Sequence, residues 1–565
     1  HCTASRTLRQ NGLIIGLSGA GIWRGRAIPE VNADVVLSEL AATYREKGPG
    51  VLDELEGAFA LIVLEPNRRK ALLAIDRMGV EALAYAVHDG DLTFADSANA
   101  VAEARGVPPV VRPQAFFDFL FLHVVPAPWS VYEETRKLPL ASVLEFQDGR
   151  ADVRRYWQPC YRYASRRDFA DLKASLHHAL ETAVRASDPG DATGAFLSGG
   201  LDSSSVAGVL RVVRGVPVPT FTVGFGGSEH DELKFARAAN RHFRNRAFEY
   251  QMRPADIVDA FPRIAAAYDE PFGNSSAAPT YLCAKLAADN GITHMLGGDG
   301  GDELFGGNER YVRHWILELY YRFPEWLRRG FLEPATRPIS PESRIMPLRK
   351  IRNYIDQALI PLPDRFESWN YMYREGGDDM LHPEFATSID PEGPLVRLRE
   401  LWNAAPSENL LERMLWYDWQ LTLADNDLRK VTTMAALAGV RVSFPMLHPA
   451  VVELSTRVPP DMKIEGQELR SFFKRAMAEF LPREIIEKKK HGFALPFGAW
   501  MKTDKALGDL FYSHLSDLKK RRIVAASFID NLIEQHRTGH PSYYGYAIWD
   551  LAMLEAWMAQ HLGPA

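Results

Sequence analysis

The sequence predicts an α/β protein of two domains: a β-rich domain over residues 1–155, and a parallel-sheet domain over residues 156–565 that ends in a helical tail. Three observations carry this. The chain has 565 residues, more than one ordinary domain of ~100–200 residues holds. Apolar strand-like runs with turn residues between them dominate the first part. From about residue 190 to 310 the pattern reads strand, glycine loop, helix, strand, helix, strand, glycine loop. That alternation calls for parallel strands with helices on both faces.

In chain order, strands are expected at 13–17, 58–64, 71–75 and 83–87, with a helix over 33–44 between the first two. Near Arg154-Arg155-Tyr156-Trp157 the period lengthens, and Leu172, Leu176, Ala179 and Leu180 fall on one helical face. The segments 195–197, 221–225 and 292–296 are expected as buried strands. Beyond about 310 the chain is helix-rich and aromatic, as at 315–326 and 546–557. The Pro- and Arg-rich segment 337–362 is expected to be a loop excursion or linker.

Hydrophobic residues make up 46% and charged residues 24%, as in soluble globular proteins. This excludes a disordered chain, a collagen-like repeat and a small disulfide scaffold. The formal net charge of -6 gives no basic excess for nucleic acid or an anionic membrane. The cysteines are Cys2, Cys160 and Cys283, far apart and without a CxxC pair. A disulfide framework or zinc ribbon is not expected, and a reducing cytoplasm fits. Apolar runs such as 58–64 fall short of the ~20 residues that span a bilayer. His1-Cys2-Thr3-Ala4-Ser5-Arg6 lacks a signal-peptide core.

The chemical signal is Ser198-Gly199-Gly200-Leu201-Asp202-Ser203-Ser204, set between a strand-like and a helical segment. Glycines let a backbone approach a phosphate. Free N–H groups at the helix start and the hydroxyls of Ser198, Ser203 and Ser204 can bind it. Asp202 is out of place in an anion site unless a cation such as Mg²⁺ bridges to the phosphate. The Walker GxxxxGK[ST] loop is absent, which argues against γ-phosphoryl transfer.

SGGLDSS resembles the pyrophosphate loop of the ATP-pyrophosphatase superfamily, whose members cleave ATP between the α and β phosphates. Further stretches are similar to the asparagine synthetase family, asparagine synthase B-like in pattern. They are Asp269-Glu270-Pro271-Phe272, Ser276 to Thr280, Leu296 to Gly307 (LGGDGGDELFGG), Lys490 to Pro496 (KHGFALP), and Ile548 to Trp557. The resemblance covers about residues 50–560. It implies an N-terminal Ntn-hydrolase-like sandwich of the class II glutamine amidotransferase type over 1–155. It also implies an adenine-nucleotide α-hydrolase-like synthetase domain over 156–565. By resemblance Asp299 and Lys490 are catalytic, and Asp202 and Asp302 hold Mg²⁺. Leu197, Ser198, Gly199, Gly200, Asp202, Ser203, Ser204, Val223, Gly297, Gly298 and Lys430 bind ATP and its pyrophosphate. Lys488 in the run before Lys490 is read as solvated.

The N-terminal part departs from the family. Leu55 to Ala60 and Ile75 to Gly79 resemble its GMFAF and RDRFG stretches, but MCGI, RGPD and a clear NGEIYN are absent. Asn32 aligns with a glutamine-binding Asp, and the surroundings of Cys2 do not match a nucleophile. The domain is therefore expected to be degenerate and its glutaminase activity lost. His448 stands where relatives have an acid, which questions the usual aspartate-sized substrate site.

The expected function is an ATP-dependent amide ligase releasing AMP and pyrophosphate. It would activate a small-molecule or peptide carboxylate as an acyl-adenylate for attack by ammonia or an amine. The alternatives are a β-lactam-synthetase-like or lasso-peptide-cyclase-like ligase, or a non-catalytic nucleotide-binding member. The cofactors implied are ATP and Mg²⁺. Neither nucleic acid nor membrane is expected as a partner, and a homodimer is compatible.

Overall fold

The computed structural model describes every residue except 1–5, 29–32, 105–108, 166–167, 227–232, 341–344, 369, 372–378 and 489–494. Ten strands build the N-terminal part. They are β1 (Arg6–Gln10), β2 (Leu13–Trp23), β3 (Arg26–Ala27), β4 (Leu55–Glu65), β5 (Lys70–Ile75), β6 (Ala84–His88), β7 (Asp91–Ala95), β8 (Arg136–Lys137), β9 (Ser142–Gln147) and β10 (Arg150–Arg155). A seven-stranded antiparallel sheet runs β1-β2-β4-β5-β9-β10, with β3 on β2, and a three-stranded sheet runs β7-β6-β8. Alternation sorts the two faces of the larger sheet. Phe59, Leu61 and Val63 of β4 pack with the helix Ala33–Lys47. Ala60, with Leu73 and Ile75 of β5, packs with Tyr85 and Phe94 of the smaller sheet. Period-two burial on both faces makes a sandwich. Its tight hairpins use Asn11-Gly12, Asp89-Gly90 and Asp148-Gly149, all at positive φ, as two-residue turns between twisted strands require.

The C-terminal sheet contains β11 (Thr193–Phe196), β12 (Pro219–Gly224), β13 (Arg246–Gln251), β14 (His294–Leu296) and β15 (Arg441–Ser443). Its order is β13-β12-β11-β14-β15, with every pair parallel. The fold class is thus α/β, as the alternation predicts. Two strands escape the pattern: β13 is a half-exposed edge carrying Arg246 and Glu249, and β15 has three residues. The expectation of a loop over 337–362 is wrong. Met346–Leu359 is a helix with a proline in its first turn, packed through Ile355 and Ala358. Proline at a helix start is permitted, because that N–H lacks an intrahelical partner. The tail helix Pro541–His561 is buried nearly all round between Gly545 and Met558, consistent with a core rather than a surface helix. Among the described residues no helix is long and apolar enough to cross a membrane.

Candidate active site

Strands β11 and β14 are neighbours, with Ala195 opposite Leu296. The sheet is entered from both sides here, so their carboxyl-terminal loops face one crevice. A cavity of about 640 Å³ opens there. It is lined by Leu197, Ser198, Gly200, Asp202, Ser203, Val223, Gly298, Asp299, Asp302 and Lys430. Ser198 and Asp299, more than a hundred positions apart in sequence, therefore share one site.

The loop after β11 presents the Ser198 and Ser203 side chains and a helix start to the cavity. Gly200 caps the helix Leu201–Arg214 with no side-chain capping bond, and its first-turn residues Leu201, Asp202 and Ser203 line the cavity. Ser198 Oγ lies 3.0 Å from Ser203 Oγ and accepts from Gly200 N–H at 3.3 Å. Three residues predicted to bind nucleotide do not line the cavity. Gly199, at φ +69, packs against the helix Leu233–Phe243, where a Cβ would lie 2.4 Å from Ala236 N. Gly297 sits beneath the loop, where a Cβ would meet Asp299 Oδ2 at 2.9 Å. Ser204 is fully buried in the first helical turn. These residues shape the loop from behind.

Asp202 and Asp302 are drawn together by a residue that motif reading passed over. Arg470 donates from its two terminal nitrogens to both carboxylate oxygens of Asp202, and to Asp302 Oδ1 at 3.0 Å. Burial opposes its charge, but Asp202 and Asp302 outweigh that and hold it firmly protonated. Glycines make room for the pair. A Cβ on Gly301 would lie 2.1 Å from Asp202 Oδ1, and one on Gly307 would lie 1.7 Å from Asp302 Oδ1. Sequence alone offered no signal for Arg470, which sits 268 positions from Asp202.

The donor set fits Mg²⁺ of the kind that takes one or two protein carboxylates and completes its shell with phosphate and water. Among the described residues no group of three or more His, Cys, Asp or Glu forms an all-protein cage. Acidic side chains outnumber basic ones in the lining, with Glu303, Asp427 and Glu487 joining the two aspartates against Lys430, Arg470, Lys474 and Lys488. Phosphates would be repelled from such a lining unless a cation came with them.

In the same lining, burial pushes the Asp299 carboxyl up to about 6, against the pull of Lys430. Burial also opposes the charge of Lys430, but Asp427 and Asp299 raise its pKa above the ordinary value. Lys430 Nζ donates to Asp427 Oδ1 at 2.6 Å. Lys488 is not solvated as expected. Its Nζ lies 3.5 Å from Gly199 O and 4.6 Å from the Phe235 ring centre, and it lines the cavity. Lys490, Asn32 and Cys2 lie outside the described residues.

Other motif residues serve elsewhere. Asp269 accepts from Ser97 Oγ and Ala98 N–H, each at 2.8 Å. Glu270 accepts from Val131 N–H at 2.9 Å and pairs with Lys137. Both acids therefore tie the two parts of the chain together. Asp76, fully buried, accepts from the N–H groups of Met78, Val80 and Glu81 and shapes their turn. His448 caps the helix Pro449–Arg457, its Nδ1 accepting from Ala450 N–H at 3.2 Å. An acid there would fill the same capping place, and His448 does not line the cavity.

Comparison with known proteins gives two family matches, Asparagine synthase over residues 171–559 and Glutamine amidotransferase domain over residues 32–157. The chain is 21% identical over 509 residues to asparagine synthetase [glutamine-hydrolyzing] 1 of Bacillus subtilis (strain 168), covering 89% of this chain and 78% of that protein. It is 24% identical over 540 residues to a putative asparagine synthetase [glutamine-hydrolyzing] of Mycobacterium tuberculosis (strain ATCC 25618 / H37Rv), covering 92% and 79%. Asparagine synthetase B [glutamine-hydrolyzing] of Escherichia coli (strain K12) is 28% identical over 288 residues, covering 47% and 46%.

Proposed function

This chain belongs to the asparagine synthase family, an ATP-dependent amide-ligase family, and from that premise we propose that it activates a carboxylate as an acyl-adenylate and passes the acyl group to ammonia or an amine. The observation that carries the reading is one cavity lined by the pyrophosphate-loop serines, the Asp202–Asp302 pair, and Asp299 with Lys430.

A carboxylate resists amines because its charge repels them and oxide is a poor leaving group. In the proposed first half-reaction a carboxylate oxygen attacks the α-phosphorus, and the bond to the β-phosphate oxygen breaks. Ser198, Ser203 and the N–H groups at the start of the Leu201–Arg214 helix receive the departing pyrophosphate. Mg²⁺, held by Asp202 and Asp302, would supply neutralisation of its charge. Lys490, by resemblance, and Lys430 offset charge around the α-phosphate. Leu197 and Val223 wall the adenosine side. In the second half-reaction the nitrogen attacks the acyl carbon, AMP leaves, and the nitrogen's proton passes to Asp299 or to solvent. A carboxyl whose pKa sits near 6 is ionised at neutral pH and still basic enough for that transfer.

The proposal takes nitrogen from ammonia or an amine, with glutaminase activity lost, supported by Asn32 where the resemblance expects an acid. Domains at 1–155 and 156–565, a cytoplasmic site of action and a homodimer belong to the same reading. The test is pyrophosphate release from ATP with a panel of small and peptide carboxylates, supplied with ammonia, amines or glutamine. Release that depends on one carboxylate is expected. Background release with every carboxylate would refute the ligase reading, and glutamate formed from glutamine at a rate matching turnover would refute the nitrogen source.

A further inference from the structure

Arg470 is placed with unusual firmness for a side chain that no motif reading assigns. Its backbone is left-handed, φ 59 and ψ 30, at the cap of the helix Ser471–Met477. Its guanidinium carbon lies 4.7 Å from the centre of the Phe473 ring. Nε is buried and has no hydrogen-bond partner among the described residues. Nη1 serves Asp202 Oδ2 and Asp302 Oδ1 together, and Nη2 serves Asp202 Oδ1. Gly307 leaves room for this packing, since a Cβ there would meet both Asp302 and Arg470 Cδ, the latter at 2.9 Å.

Two carboxylates brought together would repel one another, and a single guanidinium with bidentate geometry offsets that. It also claims the oxygens that a divalent cation needs. If a cation took Asp202 without nucleotide, a buried guanidinium would lose its partners. Stranding a buried charge is strongly unfavourable. When a nucleotide binds, its phosphate oxygens can accept the N–H groups that the carboxylate releases.

We propose that Arg470 is an internal counter-ion of the Asp202–Asp302 pair that makes divalent-cation binding conditional on nucleotide. It is a positioning residue: it acts through the two carboxylates, and it rests on the reading of that pair as the metal site. The order of binding follows. The free enzyme holds little cation by itself and acquires it together with the triphosphate.

The test uses the full chain and Mn²⁺ as the probe, with free Mn²⁺ read by electron paramagnetic resonance. In the wild type, Mn²⁺ binding should be at least about tenfold tighter with a non-hydrolysable α,β-methylene ATP analogue than without it. In Arg470→Met, Mn²⁺ binding without nucleotide should tighten by at least about tenfold, and the nucleotide effect should shrink. Adding Asp202→Asn to that variant should remove the gain. If Arg470→Met does not fold, Arg470→Lys decides the matter, because a point charge cannot span both carboxylates and should give an intermediate gain. Mn²⁺ affinity equal to wild type in whichever variant folds, or a gain that survives Asp202→Asn, overturns the proposal. Neither readout needs turnover. A failed ligase assay with normal Mn²⁺ behaviour therefore counts against the proposed reaction, and a failed Mn²⁺ assay with normal pyrophosphate release counts against Arg470 alone.

Discussion

Asp299 shows how one side chain acquires a role from its surroundings. Burial raises its carboxyl to about 6, and Lys430 limits the rise. The sign is that of a raised acid. Below about pH 6 the group carries its proton and cannot accept another; above it the carboxylate is available. Amide formation in the wild type should therefore fall as pH drops through about 6. Asp299→Asn should lose this limb and ~10²–10³ of the rate while still binding ATP. A variant that keeps the wild-type pH profile would remove Asp299 from proton transfer. The lysines give a second comparison. Lys490→Ala is expected to slow pyrophosphate release by roughly 10²–10³ with the fold intact. Lys488 reaches the back of the loop at Gly199 O, so Lys488→Ala should slow release by less, on the order of tenfold. Equal rates in the two variants would mean that Lys490 is an ordinary member of its run.

Between β14 and the cavity the glycines decide more than turns do. Gly301 and Gly307 each stand where a Cβ would overlap a carboxylate oxygen, of Asp202 and Asp302 respectively. Gly301→Ala and Gly307→Ala should each reduce pyrophosphate release by at least about tenfold, with far-UV circular dichroism unchanged. Unaltered release would show that the carboxylates need no such space. Long elements with a clear period were legible in the sequence. The apolar run 58–64 predicted β4, and the spacing of Leu172, Leu176 and Leu180 predicted the helix Phe169–Ser187. The strand–SGGLDSS–helix unit also stood out, because its chemistry is written in consecutive residues. Hidden features depended on tertiary context. The edge strand β13 reads as polar because half of it faces water. The helix Met346–Leu359 was masked by a proline that its first turn accepts. The placing of Arg470 and Lys488 follows only from contacts between remote segments.

At the scale of the whole chain, the two parts meet through half-buried charges as well as through apolar surface. Arg429, next to the cavity residue Lys430, donates across the boundary to Val80 O at 2.8 Å and to Gly79 O. Asp425 accepts from Ala127 N–H at 3.0 Å, and Glu270 pairs with Lys137. One helix start thus serves the cavity and the boundary with adjacent residues. Glu81 belongs to the same junction. Burial, with Asp76 adding to it, pushes its carboxyl up to about 6, while Arg429 pulls it down. Its Oε2 accepts from Ser18 Oγ at 3.3 Å. A raised folded pKa means that the fold prefers the protonated acid. That preference contributes stability fully below the ordinary value of 4.5 and is lost as pH rises through about 6. Above that the wild type carries an ionised, partly buried carboxylate at a cost of about 2 kcal/mol. Glutamine imitates the protonated form at every pH. Glu81→Gln should therefore match the wild type near pH 4 and exceed its stability by about 2 kcal/mol at pH 8, read by urea denaturation of the full chain. A stability difference that stays constant between those two pH values would show that Glu81 does not titrate in this range, and that Arg429 holds it ionised throughout.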